Sequence, residues 1–95
     1  MPKYISLCTR TDKGVTTIAE AVERAKSSHD YGKSLNSSFE LYMTNGPYDM
    51  VAIVDAPDDA AAFKFKLAIE SRGYLRMVSM RAYTESEFAG IANGL

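Results

Sequence analysis

The stretch that decides the fold is residues 42–57, YMTNGPYDMVAIVDAP, in the middle of a chain of 95 residues. Its first residues are predicted to end one β-strand, and the chain is predicted to reverse direction at Asn45-Gly46-Pro47. Residues 48–56 are predicted to form a second strand, because they are rich in β-branched and aromatic side chains. Pro47 has no amide to donate, so a wide loop is predicted rather than the tight two-residue turn typical of Asn-Gly. The stretch therefore predicts a β-hairpin in the middle of a single sheet.

One strand and one helix are predicted on each side of this hairpin, from alternating and helical spacings of apolar residues. The predicted elements are strand 3–10, a helix from Thr11 to Asn36, strands 38–44 and 48–56, helix 58–72, strand 74–83 and a short helix after residue 84. Ser27 and Gly32 weaken the helical pattern, so the first helix is expected to kink or break near Ser27. Thr84 and Glu87 form a capping box, and the last helix is expected to dock through Phe88 and Ile91.

This order of elements, βαββαβ with a C-terminal helix, is the split β-α-β pattern of ferredoxin-like α+β folds. The length permits one domain over residues 1–95, because two domains of half this size would each lack a core. In this topology the first and third strands are central. Apolar residues at helical spacing predict buried stripes, which comprise Val15, Ile18, Ala19, Val22 and Ala25 on the first helix and Phe65, Ala68 and Ile69 on the second.

Both faces of the predicted sheet carry apolar side chains. We expect the helices to cover the face that holds Ile5, Leu7, Leu41, Val51, Ile53, Val78 and Met80. The opposite face is too apolar to be left to water, so the sequence predicts a homodimer in which two sheets pack face to face. The predicted interface consists of Tyr4, Tyr42, Met50, Ala52, Val54 and Met77. On this basis a lysine in place of Met50 would dissociate or aggregate the dimer.

Composition excludes several classes of function. The net charge is −1 and no run of Lys or Arg forms a basic stripe, which argues against nucleic-acid binding. Cys8 is the only cysteine and His29 the only histidine, so neither an internal disulfide nor a Cys- or His-rich metal site can form. No cofactor or metal is expected. No apolar stretch reaches membrane-spanning length, and we expect a cytoplasmic protein.

Five blocks of sequence, in order, resemble the GYD-domain family. The central block, residues 42–49, contains the motif residues Gly46, Tyr48 and Asp49, with Pro47 between Gly46 and Tyr48. The other blocks are KYISL at 3–7, GV at 14–15, IVDAPDD at 53–59 and LRMVSMRAYTESEF at 75–88. The resemblance implies a dimeric α+β barrel, in agreement with the argument from the second sheet face. It implies no activity, since related barrels include cofactor-free monooxygenases, isomerases, haem enzymes and ligand-sensing domains.

Two places are candidates for a ligand. The first lies under the end of the first helix, with His29 as its polar group and Phe39 and Leu41 as its floor. His29 would there be either the base of a cofactor-free enzyme or a half-buried, hydrogen-bonded histidine. The second lies on the other sheet face near Tyr42 and Arg81. There the guanidinium would hold an anion, or would pair with an acid of this chain or of a second copy.

The motif residue Asp49 follows a turn, which favours a role in capping backbone amides over cation binding. Cys8 is predicted to be a small buried hydrophobe. Three functions remain open: a homodimer that binds a small, largely apolar ligand, a cofactor-free monooxygenase or isomerase acting on an aromatic or enolisable substrate, and a purely structural or accessory dimer.

Overall fold

The computed structural model describes residues 1–95 as a four-stranded antiparallel sheet with the two longest helices packed on one face. The elements are β1 (Lys3–Arg10), α1 (Asp12–Thr16), a 3₁₀ turn (Ile18–Glu20), α2 (Ala21–Ser34), β2 (Ser38–Met43), β3 (Met50–Asp55), α3 (Asp59–Ser71), β4 (Leu75–Ala82) and α4 (Glu85–Ala92). The strand order β2-β3-β1-β4 places β1 and β3 in the centre. The ferredoxin-like α+β fold is confirmed.

The hairpin loop is wide, as the proline predicts. The amide of Thr44 donates to the carbonyl of Asp49 at 3.0 Å, and the amide of Asp49 donates to the carbonyl of Cys8 at 2.8 Å. The carboxylate of Asp49 accepts a 2.7 Å hydrogen bond from the backbone amide of Arg10. Asp49 therefore caps an amide of β1 where the pairing between β1 and β3 ends, which ties the loop to the centre of the sheet.

The first helical segment breaks after Thr16, not near Ser27 as the sequence predicts. At the break, the Arg24 guanidinium donates to the carbonyl and the hydroxyl of Thr17, both at 3.1 Å. The serines do not interrupt α2, because the Ser28 hydroxyl donates to the Arg24 carbonyl within the helix at 2.9 Å. Asn36 ends the segment with φ 52°, the left-handed stop that was predicted.

The break also changes which residues of this segment are buried. Val15, Ile18, Ala19 and Val22 are exposed, so the first part of the predicted apolar stripe is wrong. The 3₁₀ turn changes the direction in which the following side chains point, so residues before and after it do not share one helix face. Ala25 lies over the sheet as predicted, together with Ala21 and Ser28 of α2.

The second helix follows its predicted pattern. The Asp58 side chain accepts from the amide of Ala61 at 2.8 Å, and Gly73 ends the segment with φ 86°. Phe65 and Ile69 are buried and pack against residues of the three strands β1, β3 and β4. This cluster is the main core of the domain.

The helices cover the sheet face that was predicted to be the dimer interface, so the predicted placement is wrong for five of its six residues. Tyr4, Met50, Ala52, Val54 and Met77 are buried in the two core clusters beneath the helices. Leu41 also packs against these clusters, whereas Tyr42 is on the open face. Both faces are apolar, so the alternation alone did not distinguish them.

Two mainly apolar rows of side chains cross the open face of the sheet, as the strand register shows. One row is Tyr42, Val51, Leu7 and Val78, and the next is Glu40, Ile53, Ile5 and Met80. The following row carries the Lys3–Asp55 ion pair, whose nitrogen and oxygen are 2.8 Å apart. Val78 is 56% exposed and Met80 is 44% exposed. The open face therefore has an apolar centre and a charged margin.

The last helix has its capping box but is not docked. The amide of Glu87 donates to the Thr84 hydroxyl at 3.1 Å, and the amide of Thr84 donates to the Glu87 carboxylate at 3.0 Å. Phe88 and Ile91 are exposed and no residue of α4 is buried, so the prediction of docking is wrong for the single chain. The radius of gyration of 14.5 Å exceeds the roughly 12 Å of a compact domain of this length, in agreement with this open arrangement.

We expect α4 to lose helicity as the pH is lowered past the pKa of Glu87. The hydrogen bond from the Thr84 amide, with further support from Arg81, lowers this pKa below its ordinary value of 4.5. Because the pKa of Glu87 is lower in the folded helix than in the unfolded chain, ionised Glu87 stabilises the helix. This stabilisation is complete above the ordinary pKa and is lost as the pH falls through the lowered pKa. Backbone chemical shifts of residues 85–92, recorded as the pH is lowered through the pKa of Glu87, would measure the loss of helicity. Glu87→Gln should remove the pH dependence, and an unchanged titration in that variant would refute the assignment.

Candidate functional site

A cleft with a volume of about 80 Å³ lies between α2 and the sheet. Twelve of its sixteen lining residues are apolar. Its walls include Phe39, Leu41, Met50, Phe65, Ile69 and Met77. Phe39 and Leu41, the predicted floor, are therefore part of one cavity.

The cleft exists because α2 presents small side chains to the sheet. Ala21, Ala25 and Ser28 occur at spacings of four and three residues, so they share one face of the helix. None of them is large enough to fill the space above the strands. On the opposite side, flexible methionines at positions 43, 50 and 77 form part of the floor, and such side chains adjust readily to an occupant.

Three arginines line the cleft, and the lining contains no Asp, Glu, Lys or His. The Arg24 guanidinium carbon lies 4.2 Å from the centre of the Tyr74 ring, which also lines the cleft. Arg72 donates to the Ser28 hydroxyl at 3.3 Å. Arg10 lies 3.7 Å from a carboxylate oxygen of Asp49. The cleft thus combines an apolar interior with three positive charges.

His29 is exposed and does not line the cleft. Its ring stacks on Phe39, with centroids 3.9 Å apart and planes inclined by 4°. The histidine therefore covers one side of a residue whose own ring forms the cleft wall. Gly32 is buried against the start of β2, since a Cβ atom there would lie 3.2 Å from the Ser37 carbonyl oxygen.

A second cavity, of about 300 Å³, lies on the same sheet face between α3 and β4. Its polar groups include the Tyr4 hydroxyl, which donates to the Asp59 carboxylate, and the Ser6 and Ser79 hydroxyls, which are 2.8 Å apart. Burial, with a contribution from Asp59, raises the pKa of Tyr4 to about 12. The phenol therefore stays protonated at neutral pH and remains a hydrogen-bond donor.

Arg81 borders this second cavity and is not near Tyr42. Its guanidinium lies 4.4 Å from the Tyr83 ring centre and 3.4 Å from a carboxylate oxygen of Glu87. Tyr42 is on the opposite face and at the far edge strand, where its hydroxyl donates to Glu40 at 3.0 Å. The predicted site that combined these two residues is therefore not formed within one chain.

Cys8 is buried in the main core, as predicted. Burial, together with the nearby charge of Glu70, raises the pKa of its thiol to about 11. The thiolate is the nucleophilic form, so this cysteine is chemically inert at neutral pH.

Sequence reasoning missed the arginines of the cleft. Arg10, Arg24 and Arg72 come from the end of β1, from α2 and from the end of α3, and only the fold brings them together. One indication was present in the sequence. Arg24 follows Ala21 by three residues and precedes Ser28 by four, so it shares their side of the helix.

Comparisons with known proteins identify the family of this chain and one relative. A family model for the GYD domain matches residues 4–92. The chain is 33% identical over 87 residues to a glutamine synthetase and cystathionine beta-lyase binding protein of Thermus thermophilus, a match that covers 86% of this chain and 88% of the relative. No solved structure gave a significant match. None of the helices is both long and apolar enough to cross a membrane.

Proposed function

This chain belongs to the GYD-domain family, and we propose that it is a homodimer that binds a small, largely apolar ligand in the cleft between α2 and the sheet. The proposal of ligand binding rests on the cleft itself. Its walls are mainly apolar and a few polar groups lie at one side, which is the usual composition of a small-molecule site.

The open sheet face supports the dimer. Its centre is apolar and its margin is polar, as in protein interfaces. The single chain exposes 6195 Å², whereas a compact monomer of this mass exposes about 5,400 Å². A second copy would cover the same two apolar rows on each chain, because a twofold interface pairs one surface with itself.

The geometry favours binding over catalysis. The cleft lining has no histidine or carboxylate that would act as a general base, and His29 lies outside it. The alternative of a cofactor-free monooxygenase or isomerase therefore lacks a base at the place where a ligand would lie.

An accessory role in binding other proteins is a second candidate. The Thermus thermophilus relative is named as a binding protein of two enzymes. In this chain Val15, Ile18 and Val22 are each more than half exposed, and they are apolar groups that a partner protein would cover. This role is compatible with the dimer, because these residues are on different elements from the open sheet face.

Filling the cleft should abolish ligand binding. Ala25→Phe places a ring where α2 now leaves space, so a small molecule seen with the wild type by native mass spectrometry should be absent from the variant. Val22→Phe is the matched control, since Val22 is exposed on the same helix and should leave the ligand in place. Equal occupancy in the wild type and in Ala25→Phe would place the ligand elsewhere.

A further inference from the structure

We propose that the cleft takes a small aliphatic carboxylate, with the carboxylate held by Arg72 and Arg24 beside Arg10 and the hydrocarbon part on the apolar floor. The inference rests on the proposed function, because it specifies the chemical class of the ligand of the same cleft.

Charge is the first argument. Arg10, Arg24 and Arg72 line the cleft, whose lining includes no acidic residue. The Lys13 ammonium adds a fourth positive charge nearby, since it lies 4.6 Å from the centre of the Tyr74 ring. Cations that are partly removed from water need a counter-charge to be tolerated. An anion in the cleft would supply it.

The ion pairs within the chain meet this need only in part. The only carboxylates within 4.0 Å of these arginines are Glu20, 3.6 Å from Arg24, and Asp49, 3.7 Å from Arg10. Both distances exceed those of a charge-assisted hydrogen bond, which is roughly 2.7–2.9 Å long. Arg72 has no carboxylate partner at all and bonds only to the neutral Ser28 hydroxyl. Arg72 is therefore the arginine most available to a ligand.

The donor set favours a carboxylate over a phosphate. A guanidinium presents two parallel N–H groups that match the two oxygens of a carboxylate. A phosphate brings more charge and more oxygens, yet apart from the arginines the lining offers only the Ser28 and Tyr74 hydroxyls. The Ser28 hydroxyl already donates to the Arg24 carbonyl. The lining thus suits one planar anion.

The size of the cleft favours an aliphatic tail. Its volume of about 80 Å³ is smaller than the roughly 150 Å³ cavity known to hold a benzene ring, so it would enclose only the terminal carbons of an alkyl chain, with the rest of the molecule in the open mouth of the cleft. A short alkyl chain is thinner than a ring, and the methionines of the floor can adjust to it. The apolar lining would contribute affinity through burial of this chain, while the arginines would orient it.

The test compares hexanoate with hexanamide, which has the same carbon skeleton and no charge. Both are titrated into the isotope-labelled protein, and methyl signals of Met50 and Met77 report occupancy. We expect hexanoate to bind at least about tenfold more tightly, since the charge-assisted bonds are made only by the acid. Arg72→Gln should weaken the binding of hexanoate by about this factor and leave the affinity for hexanamide unchanged. Arg72→Lys keeps the positive charge but lacks the two parallel N–H groups of the guanidinium, so it should bind hexanoate more tightly than Arg72→Gln and less tightly than the wild type.

Arg76→Gln is the matched control, because it removes an arginine that is exposed and outside the cleft, and it should leave both affinities unchanged. Equal affinity of acid and amide would overturn the carboxylate inference while leaving an apolar cleft ligand in place. That comparison uses the wild type alone, so it holds even if a variant is poorly folded. Binding of inorganic phosphate without hexanoate would overturn the inference in favour of a different anion. If neither hexanoate nor hexanamide binds, the inference fails, and the Ala25→Phe experiment separately decides whether the cleft holds any ligand.

Discussion

A lysine in place of Met50 is expected to unfold the domain. Met50 is 5% exposed and packs in the core cluster with Phe65, Ile69 and Met77. No acidic residue lines the neighbouring cleft to pair with the new ammonium group. Burial of an unpaired charge costs several kcal/mol, which is comparable with the roughly 5–15 kcal/mol total stability of a small domain. Loss of the cooperative thermal transition, followed by circular dichroism, would show this result.

Met50→Leu is the control for this experiment, because it keeps the volume and the apolar character of the side chain and should cost less than about 1.5 kcal/mol. The outcome also tests the assignment of the sheet faces. If Met50 lay on an exposed dimer interface, the lysine variant would be a folded monomer with a transition near that of the wild type. That observation would contradict the burial seen in the structure.

A lysine in place of Ile53 is expected to give the opposite result, a folded monomer. Ile53 is the neighbour of Ala52 in β3 but lies on the open face, between Glu40 and Ile5. In the proposed homodimer its side chain would be at the centre of the interface, where the new charge, even beside Glu40, would be removed from water at a cost that a buried ion pair does not fully return. Sedimentation velocity over a range of concentrations should show a dimer for the wild type and a monomer for Ile53→Lys, with similar circular dichroism spectra.

Ile53→Val retains an apolar side chain at this position and should remain dimeric. A wild type that sediments as a monomer at every concentration would end the dimer proposal. If Ile53→Lys remained dimeric, the interface would lie on another surface. One such surface includes the exposed Phe88 and Ile91 of α4. Together the two lysine variants distinguish the covered face of β3 from the open one.

Local chemistry explains why so much of the fold was predictable. The ends of α3 follow from Asp58 and Gly73, and the start of α4 follows from the capping box, since these depend on hydrogen bonds between residues close in sequence. The wide hairpin loop follows in the same way from Pro47, which lacks an amide hydrogen. Period-two alternation located all four strands, and the order of elements then limited the topology to few choices.

The sequence by itself therefore determined the four strands, α3 and α4, their order and the apolar character of both sheet faces, but not the break of the first helix after Thr16. The tertiary structure decided which face the helices cover, because residues such as Met50 and Ile53 are equally suited to burial and neither alternation nor hydropathy separates them. It also determined which residues line the candidate site, because Arg10, Arg24 and Arg72 are far apart in sequence and come together only when β1, α2 and α3 pack against one another. Contacts between distant residues depend on packing of the whole chain, whereas caps and turns depend on a few neighbouring residues.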